Sequence, residues 1–289
     1  MKSKHTRKSV ADFDTARWER EAIFHDKWGY SVDINHIKVR EVFESPTAVE
    51  NEYILNLLSD IKGKTILDLG CGIGDASIYF ARKGATIYAI DVSSGMVDVT
   101  RRLAHKYGVS ERVHAEQMVA EALQFDDNFF DFVYGNGILH HVDFMQVSRE
   151  VHRVLGSGGL AAFIEPLTYN PVIWAYRAMA RSVRTEDEHP LSAKDIYNIC
   201  NGYQANPDNL QWRETSHREF QMFTLLIMVW FLIGERVLPS QEKYWKRFVE
   251  QGQRYRLAFR LLNGVDQFFY RFLPISRWLS WNTVIILRK

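Results

Sequence analysis

The period of the hydrophobic pattern changes near residue 60. Upstream, over residues 14 to 60, apolar side chains recur at helical spacing, with Tyr53, Ile54, Leu57 and Leu58 on one face. From Lys64 onward, short apolar runs alternate with longer helical stretches: Thr65 to Leu69, Thr86 to Ile90, Val113 to Ala115, Phe132 to Tyr134 and Leu160 to Ile164. This alternation predicts an α/β fold with a mainly parallel sheet and helices on both faces, because parallel neighbours are joined only by long crossover connections. The Gly156-Ser157-Gly158-Gly159 cluster supplies a tight turn into the fifth strand.

Beyond Pro166, residues 170 to 200 read as helical, His217 to Met222 as a sixth strand, and Asn282 to Leu287 as the last strand. Between those two strands lies a segment rich in aromatics and arginines, Phe223 to Trp281. It reads either as a helical cap inserted between them or as ordinary packing of a larger core. The division expected is an N-terminal helical lid over 1–60, a core over 61–222, a helical cap insertion over 223–281 and a final core strand over 282–289. The longest apolar run, Met222 to Gly234, is interrupted only by Thr224 and falls short of the roughly 18 to 20 residues of a spanning helix. A buried or interfacial helix is expected there.

Composition narrows the function classes. The chain has 289 residues, 46% of them hydrophobic, enough for one α/β domain with an elaborated end. A net charge of +1 gives no electrostatic case for a nucleic-acid partner. Cys71 and Cys200 are the only cysteines, too few for a disulfide framework, and a reducing compartment is expected. The basic stretch Met1 to Val10 runs into Ala11-Asp12-Phe13-Asp14 rather than an apolar core, so it does not read as a secretory signal, and cytoplasmic residence is expected.

The segment that carries chemistry is Ile66-Leu67-Asp68-Leu69-Gly70-Cys71-Gly72-Ile73-Gly74-Asp75, an apolar strand running into three alternate glycines and then a helix. Such a turn brings backbone amides close to a ligand. Dinucleotide enzymes use one too, but here Asp75 stands where their third glycine would be. Asp68 just before the loop would repel a pyrophosphate, yet it can accept hydrogen bonds from the ammonium of an amino-acid-like ligand. An NAD-linked oxidoreductase is disfavoured on both counts. The second strand ends in Asp91, whose two oxygens suit the hydroxyls of a ribose. Met96, a turn later, is placed either against a flat purine or in the core.

With these residues on these strands, the chain resembles the class I S-adenosylmethionine-dependent methyltransferases, in the small-molecule group that includes ubiquinone and menaquinone methyltransferases. The resemblance spans residues 60 to 166 and implies a Rossmann-like methyltransferase fold with a seven-stranded sheet, and S-adenosyl-L-methionine as cofactor. It implies a cofactor set of Asp68, Gly70, Cys71, Gly72, Gly74, Asp91, Val92, Met96, Met118, Ala120, Glu121 and Gly135, in which the glycines wrap the methionine moiety, Asp91 holds the ribose and Met96 lines the adenine pocket. Two departures stand out: Val119 occupies the position where an aspartate often contacts adenine, and Ser157 stands where a proline is common.

The fourth-strand segment, Asp131 to Val142, resembles the family's loop facing the transferable methyl, with Gly135 allowing close approach and Asn136 available to an acceptor. His140 and His141 are the first choices as base for an oxygen or nitrogen acceptor, with packing or hydrogen bonding as the competing role. For a carbon acceptor, Glu165 or an aromatic face would stabilise positive charge. Glu165 ends the fifth strand, where acceptors are contacted, although a helix N-terminal role is the leading alternative. No metal is expected, because the two histidines are adjacent and no nearby residues supply carboxylates at ligand spacing. The run Glu186-Asp187-Glu188-His189-Pro190 reads as a helix-entry loop, with a metal site there as the alternative.

A lipophilic acceptor follows from the aromatic surplus: Trp28, Phe223, Trp230, Phe231, Trp245, Phe268, Phe269, Trp278 and Trp281 can wall off an apolar ligand. Arg254, Arg256, Arg260, Arg271 and Arg277 are interleaved with them, which suits peripheral contact with an anionic membrane as well as solvent-facing positions on core helices. Phe24 to Tyr30 is expected to fold over the cofactor, bringing His25, Trp28 and Tyr30 near the acceptor. The function expected is methyl transfer to a small lipophilic acceptor at carbon or oxygen, by in-line displacement at the sulfonium, in a chain that also admits self-association. The alternative is a non-catalytic cofactor-binding subunit that acts through its aromatic and basic cap on a protein or membrane.

Overall fold

A computed structural model describes residues 15–58, 60–180, 185, 188–201, 212–238 and 244–289, and backbone alone at 201 and 244–246. Its seven strands are β1 (Thr65–Leu69), β2 (Thr86–Asp91), β3 (Val113–Gln117), β4 (Phe130–Asn136), β5 (Leu155–Pro166), β6 (Glu214–Phe220) and β7 (Asn282–Arg288). They form one sheet in the order β3-β2-β1-β4-β5-β7-β6, parallel throughout except for β7, which runs antiparallel to both neighbours. Strand alternation divides the core between the sheet's two faces. Ile66, Ile87, Ala89, Phe132, Tyr134, Ala162 and Ile286 pack on one side, and Leu67, Ile90, Val133, Ala161, Phe163 and Ile285 on the other.

The helices α4 (Asp75–Arg82), α5 (Ser94–Lys106) and α6 (Phe144–Val154) make the crossovers within the parallel part. Ser93 caps α5 by accepting the Met96 amide, and Asp143 caps α6 through the Gln146 amide, each cap contributing about 1 kcal/mol. The chain leaves β1 in one direction to build β2 and β3, then returns to place β4 on β1's other side. The strand order reverses there, and a crevice opens at the carboxyl ends of β1 and β4.

Upstream of the sheet lie the helices expected there, α1 (Thr15–Ser31), α2 (Glu41–Glu44) and α3 (Val49–Leu57), with a short 3-10 turn at Ile34–His36 between the first two. The α1 helix lies across α5. Asp26 Oδ1 accepts from Ser93 Oγ at 2.6 Å and from the Gly95 amide at 2.8 Å. Gly29 crosses the α5 backbone so closely that a Cβ would sit 2.7 Å from the Gly95 carbonyl carbon. Arg17, at the start of the same helix, bonds Glu121 beyond β3.

After β5 come α7 (Pro171–Met179) and α8 (Ala193–Asn201), and between β6 and β7 lie α9 (Leu226–Ile233), α10 (Tyr244–Glu250) and α11 (Arg256–Phe272). The sixth strand starts and ends earlier than its sequence suggests, because Gln221 adopts a left-handed φ of 67° and breaks the extended run before Met222. Met222, Leu225, Ile227, Met228 and Phe231 are buried as expected of the long apolar run, but they belong to a turn and a short helix. Leu225, Ile227, Met228 and Phe231 pack with Ile173, Tyr176, Phe248 and Phe259 in a third apolar cluster. Asp266 of α11, fully buried, accepts from the Met222 and Phe223 amides at 3.0 and 2.6 Å, fastening α11 to the turn after β6. No described helix is long and apolar enough to cross a membrane.

Candidate functional site

The loop after β1 is tied to the end of β2. The Gly70 and Cys71 amides both donate to the Ile90 carbonyl, at 2.9 and 2.8 Å. The Gly72 amide donates to Asp91 Oδ2 at 2.9 Å, while Asp91 Oδ1 accepts from the Ser93 amide at 2.9 Å. Gly72 has φ +52° and a Cβ there would meet nothing, so this turn presents bare backbone to open space. Each Asp91 oxygen retains acceptor capacity, which is what two vicinal hydroxyls need.

That open space is a cavity of about 400 Å³ at the crevice between β1 and β4. Among the described residues its lining includes seven carboxylates (Glu21, Glu50, Asp68, Asp75, Asp91, Glu121 and Glu188) against one arginine, Arg177. Asp68 accepts from Ser77 Oγ and is almost fully buried. Burial, with the like charges of Asp75 and Asp91 beside it, pushes its pKa up to about 7. Burial raises Asp75 to about 6 and lifts Asp91 as well. Carboxylates crowded in this way favour a cationic guest, because each cation removes mutual repulsion that burial amplifies. A sulfonium with an ammonium-bearing tail has that character, so the residues present fit S-adenosylmethionine.

On the opposite wall, parallel pairing of β4 with β5 places Glu165 beside the turn that follows β4. Glu165 is fully buried: Oε1 accepts the Ile138 and Leu139 amides at 2.9 and 2.7 Å, and Oε2 lies 2.7 Å from His140 Nδ1. This fixes the His140 tautomer with its proton on Nδ1 and a lone pair on Nε2. Burial depresses the His140 pKa despite Glu165, which keeps the ring neutral. His141 behaves oppositely. Burial opposes its charge, but Glu21 and Glu188 outweigh burial and raise its pKa. Its Nδ1 lies 3.2 Å from Glu21 Oε2 and its Nε2 lies 3.8 Å from Glu188 Oε1. Glu21 also faces His25 Nε2 at 3.5 Å, one helical turn along α1. Burial would raise the Glu21 pKa, but the two histidines hold it far below the ordinary carboxylate range.

Most residues expected at the site line the cavity: Asp68, Gly70, Cys71, Gly72, Asp91, Val92, Met118, Ala120, Glu121, Asn136, His140, His141, His25 and Trp28. Five do not, and their positions correct the reading. Met96 is fully buried against the protein interior rather than against a purine, because it faces inward from the first turn of α5. Gly74 is the left-handed N-cap of α4, where a Cβ would strike Thr100 at 2.6 Å, so it serves close packing between α4 and α5. A Cβ at Gly135 would strike Phe163 at 2.7 Å, so that glycine gives clearance between β4 and β5. Tyr30 is 71% exposed near the outer end of α1. Glu165 contacts the turn and His140, not the cavity, and is a positioning residue for the imidazole.

Sequence reasoning missed Glu21, Trp18, Asn51, Asp75, Glu188 and Arg177 as cavity residues. Glu21 had a signal, its i, i+4 spacing to His25 on a helix already expected. Glu188 reaches the cavity wall from the acidic run, while Glu186 and Asp187 lie outside the described residues. The carboxylates absent from the sequence near His140 and His141 thus come from residues 21 and 188, more than forty positions away. Val119 lines the cavity as an apolar surface where a carboxylate is common in the resembled family.

Comparison with known proteins places this geometry in a family. A family model described as "Methyltransferase domain" matches residues 67–163. Methyltransferase GfsG of Streptomyces halstedii is 32% identical over 164 residues, 55% of this chain and 58% of that protein, so the chain spans less than two thirds of that relative. A protein of Haemophilus influenzae described as uncharacterized is 30% identical over 245 residues, 81% of this chain and 91% of that one. Among solved structures, geranyl diphosphate methyltransferase in complex with SAM shares the fold, with a TM-score of 0.54 over 84% of each chain at 16% identity.

Proposed function

The chain belongs to the class I S-adenosylmethionine-dependent methyltransferases, and from that premise we propose that it methylates an oxygen or nitrogen of a small lipophilic acceptor, with His140 as the base. The observation that carries this reading is the Glu165–His140 pair: a neutral imidazole on the cavity wall, its tautomer set by a buried carboxylate. S-adenosylmethionine supplies an electrophilic methyl on an excellent leaving group, so the protein's tasks are alignment, exclusion of water and removal of the acceptor's proton. Asp68 and the Gly70 to Gly72 backbone hold the amino-acid end, Asp91 holds the ribose, and Met118, Val119 and Ala120 bound the adenine. His140 Nε2 takes the proton that the acceptor loses.

Trp18, Trp28, Ile173, Tyr176, Phe248 and Trp281 line the cavity, which favours an apolar body on the acceptor. Outside, Leu257, Leu261, Val265, Phe268 and Phe272 form an exposed stripe along α11. Between residues 251 and 281 the chain carries five arginines, all exposed, and one acid, the buried Asp266. This combination supports docking of α11 on an anionic lipid surface from which the acceptor is drawn.

Calorimetry with S-adenosylmethionine, followed by mass spectrometry of lipid extracts incubated with protein and cofactor, tests the reading. The expected result is tight binding and an extract component that gains one methylene mass, lost in His140→Ala while cofactor binding persists. Binding with no product from any extract would favour the non-catalytic subunit, and absence of binding would remove both readings.

A further inference from the structure

We propose that Glu21, His25 and His141 form a binding site for a first-row divalent cation of zinc type, on the cavity wall beside His140. Glu21 and His25 stand one turn apart on the same face of α1, the i, i+4 arrangement by which a helix offers two ligands to one ion. His141 supplies the third from the turn after β4, so the site closes only when α1 lies over the sheet. The distances fit the ligand shell of such an ion. Two ligands bound at about 2.0–2.1 Å with tetrahedral angles are about 3.3 Å apart. Glu21 Oε2 lies 3.2 Å from His141 Nδ1 and 3.5 Å from His25 Nε2. All three ligand atoms fall within 4.8 Å of one another.

A second observation is independent of this spacing. Glu21 is 5% exposed, and both its Oε1 and His141 Nδ1 are buried without a hydrogen-bond partner among the described residues. The 3.2 Å approach of the other carboxylate oxygen, Glu21 Oε2, to His141 Nδ1 brings the groups together without the alignment of a hydrogen bond. Buried polar atoms left in this state are destabilising, and an ion held by the Glu21 carboxylate and His141 Nδ1 would satisfy both groups. The outer groups are also those that metal-bound histidines use. His141 Nε2 faces Glu188, itself held by Arg177 Nη2 at 3.1 Å, and a carboxylate on the far nitrogen fixes the ring and increases its donor strength. Two imidazoles and one carboxylate suit zinc, cobalt or iron(II) better than magnesium or calcium, which prefer oxygen.

Three protein ligands would leave a fourth position, and because Glu21, His25 and His141 all line the cavity it would be open to an acceptor oxygen. An acceptor hydroxyl bound there would lose its proton more readily to the adjacent His140. That consequence rests on the methyl-transfer reading; binding of the ion does not. Chelator-treated full-length protein titrated with zinc, and separately with cobalt followed by its visible ligand-field bands, tests the site without an acceptor. One zinc per chain is expected, weakened more than about a hundredfold in His25→Ala and in Glu21→Gln, since even loss of an outer-shell partner costs 10–100-fold. His36→Ala, which removes an exposed histidine paired with Asp33, should leave zinc binding unchanged. Both site variants should still bind S-adenosylmethionine in calorimetry, which reports folding and the cofactor reading separately from the metal. Absence of zinc and cobalt binding in the wild-type protein, or binding that survives Glu21→Gln and His25→Ala, overturns the proposal.

Discussion

Affinity for S-adenosylmethionine should rise with pH between 5 and 7. Asp68 has a pKa of about 7 in the free protein because it is buried beside Asp75 and Asp91. The ligand's ammonium favours the ionised carboxylate, so binding pulls this pKa down toward its ordinary value. With a free pKa near 7, the ionised fraction is about 1% at pH 5 and about half at pH 7, an increase of about fiftyfold in affinity or roughly 2.3 kcal/mol. Cys71 and Tyr134 also face Asp68, but burial raises both far above their ordinary values and they stay protonated. Asp75, raised to about 6, steepens the lower half of the profile. Above about pH 8 the curve should turn over as the ligand's own α-amino group loses its proton. Isothermal titration of wild type and Asp68→Asn across this range measures the effect. A flat wild-type profile, or a slope unchanged in Asp68→Asn, would refute the electrostatic account of the cofactor end.

Glu165→Gln replaces the acceptor of the His140 Nδ1 proton with an amide, which drives the imidazole to the other tautomer. The turnover number should fall about 10²–10⁴-fold at constant cofactor affinity, and nitrogen NMR of the imidazole should report the tautomer change directly. Asp26→Ala removes the acceptor for Ser93 Oγ and the Gly95 amide and should cost about 1–2 kcal/mol, read as a lower thermal midpoint together with faster hydrogen exchange in α1. The protein should sediment with phosphatidylserine vesicles but not with neutral ones. Arg260→Ala should weaken that association about fivefold and Phe268→Glu should abolish it; equal binding to neutral vesicles would contradict the charge argument.

Legibility followed the range over which each constraint acts. Strand alternation and the glycine loop are local, so β1 to β5, β7 and the adjacency of Gly72 and Asp91 follow from short windows of sequence. Where a reading depended on the rotation of a helix about its axis, local pattern was insufficient. Met96 faces the interior and Tyr30 faces solvent because α5 and α1 are oriented by tertiary contacts, including Asp26 on the α5 N-terminus. Glu165 was placed at the correct strand end, but its direction depends on the β4–β5 register, which seats it under the turn it stabilises. Glu21, Glu188 and Arg177 reach the cavity from outside the sheet core, so no spacing rule connects them to His141.

The two walls of the cavity carry opposite electrostatic assignments, and topology accounts for the division. At the tips of β1 and β2, buried and crowded carboxylates have raised pKa values, which favours a guest that brings positive charge. At the tips of β4 and β5, Glu165 has all its hydrogen bonds supplied by backbone and imidazole, so it leaves His140 neutral with a free lone pair. Beside it, Glu21 and Glu188 raise the His141 pKa, so it is burial that keeps His140 neutral. The order β3-β2-β1-β4-β5 keeps the two sets on opposite sides of the switch point. On the proposed reading, methyl donor and proton acceptor would lie on opposite sides of the crevice with the acceptor between them.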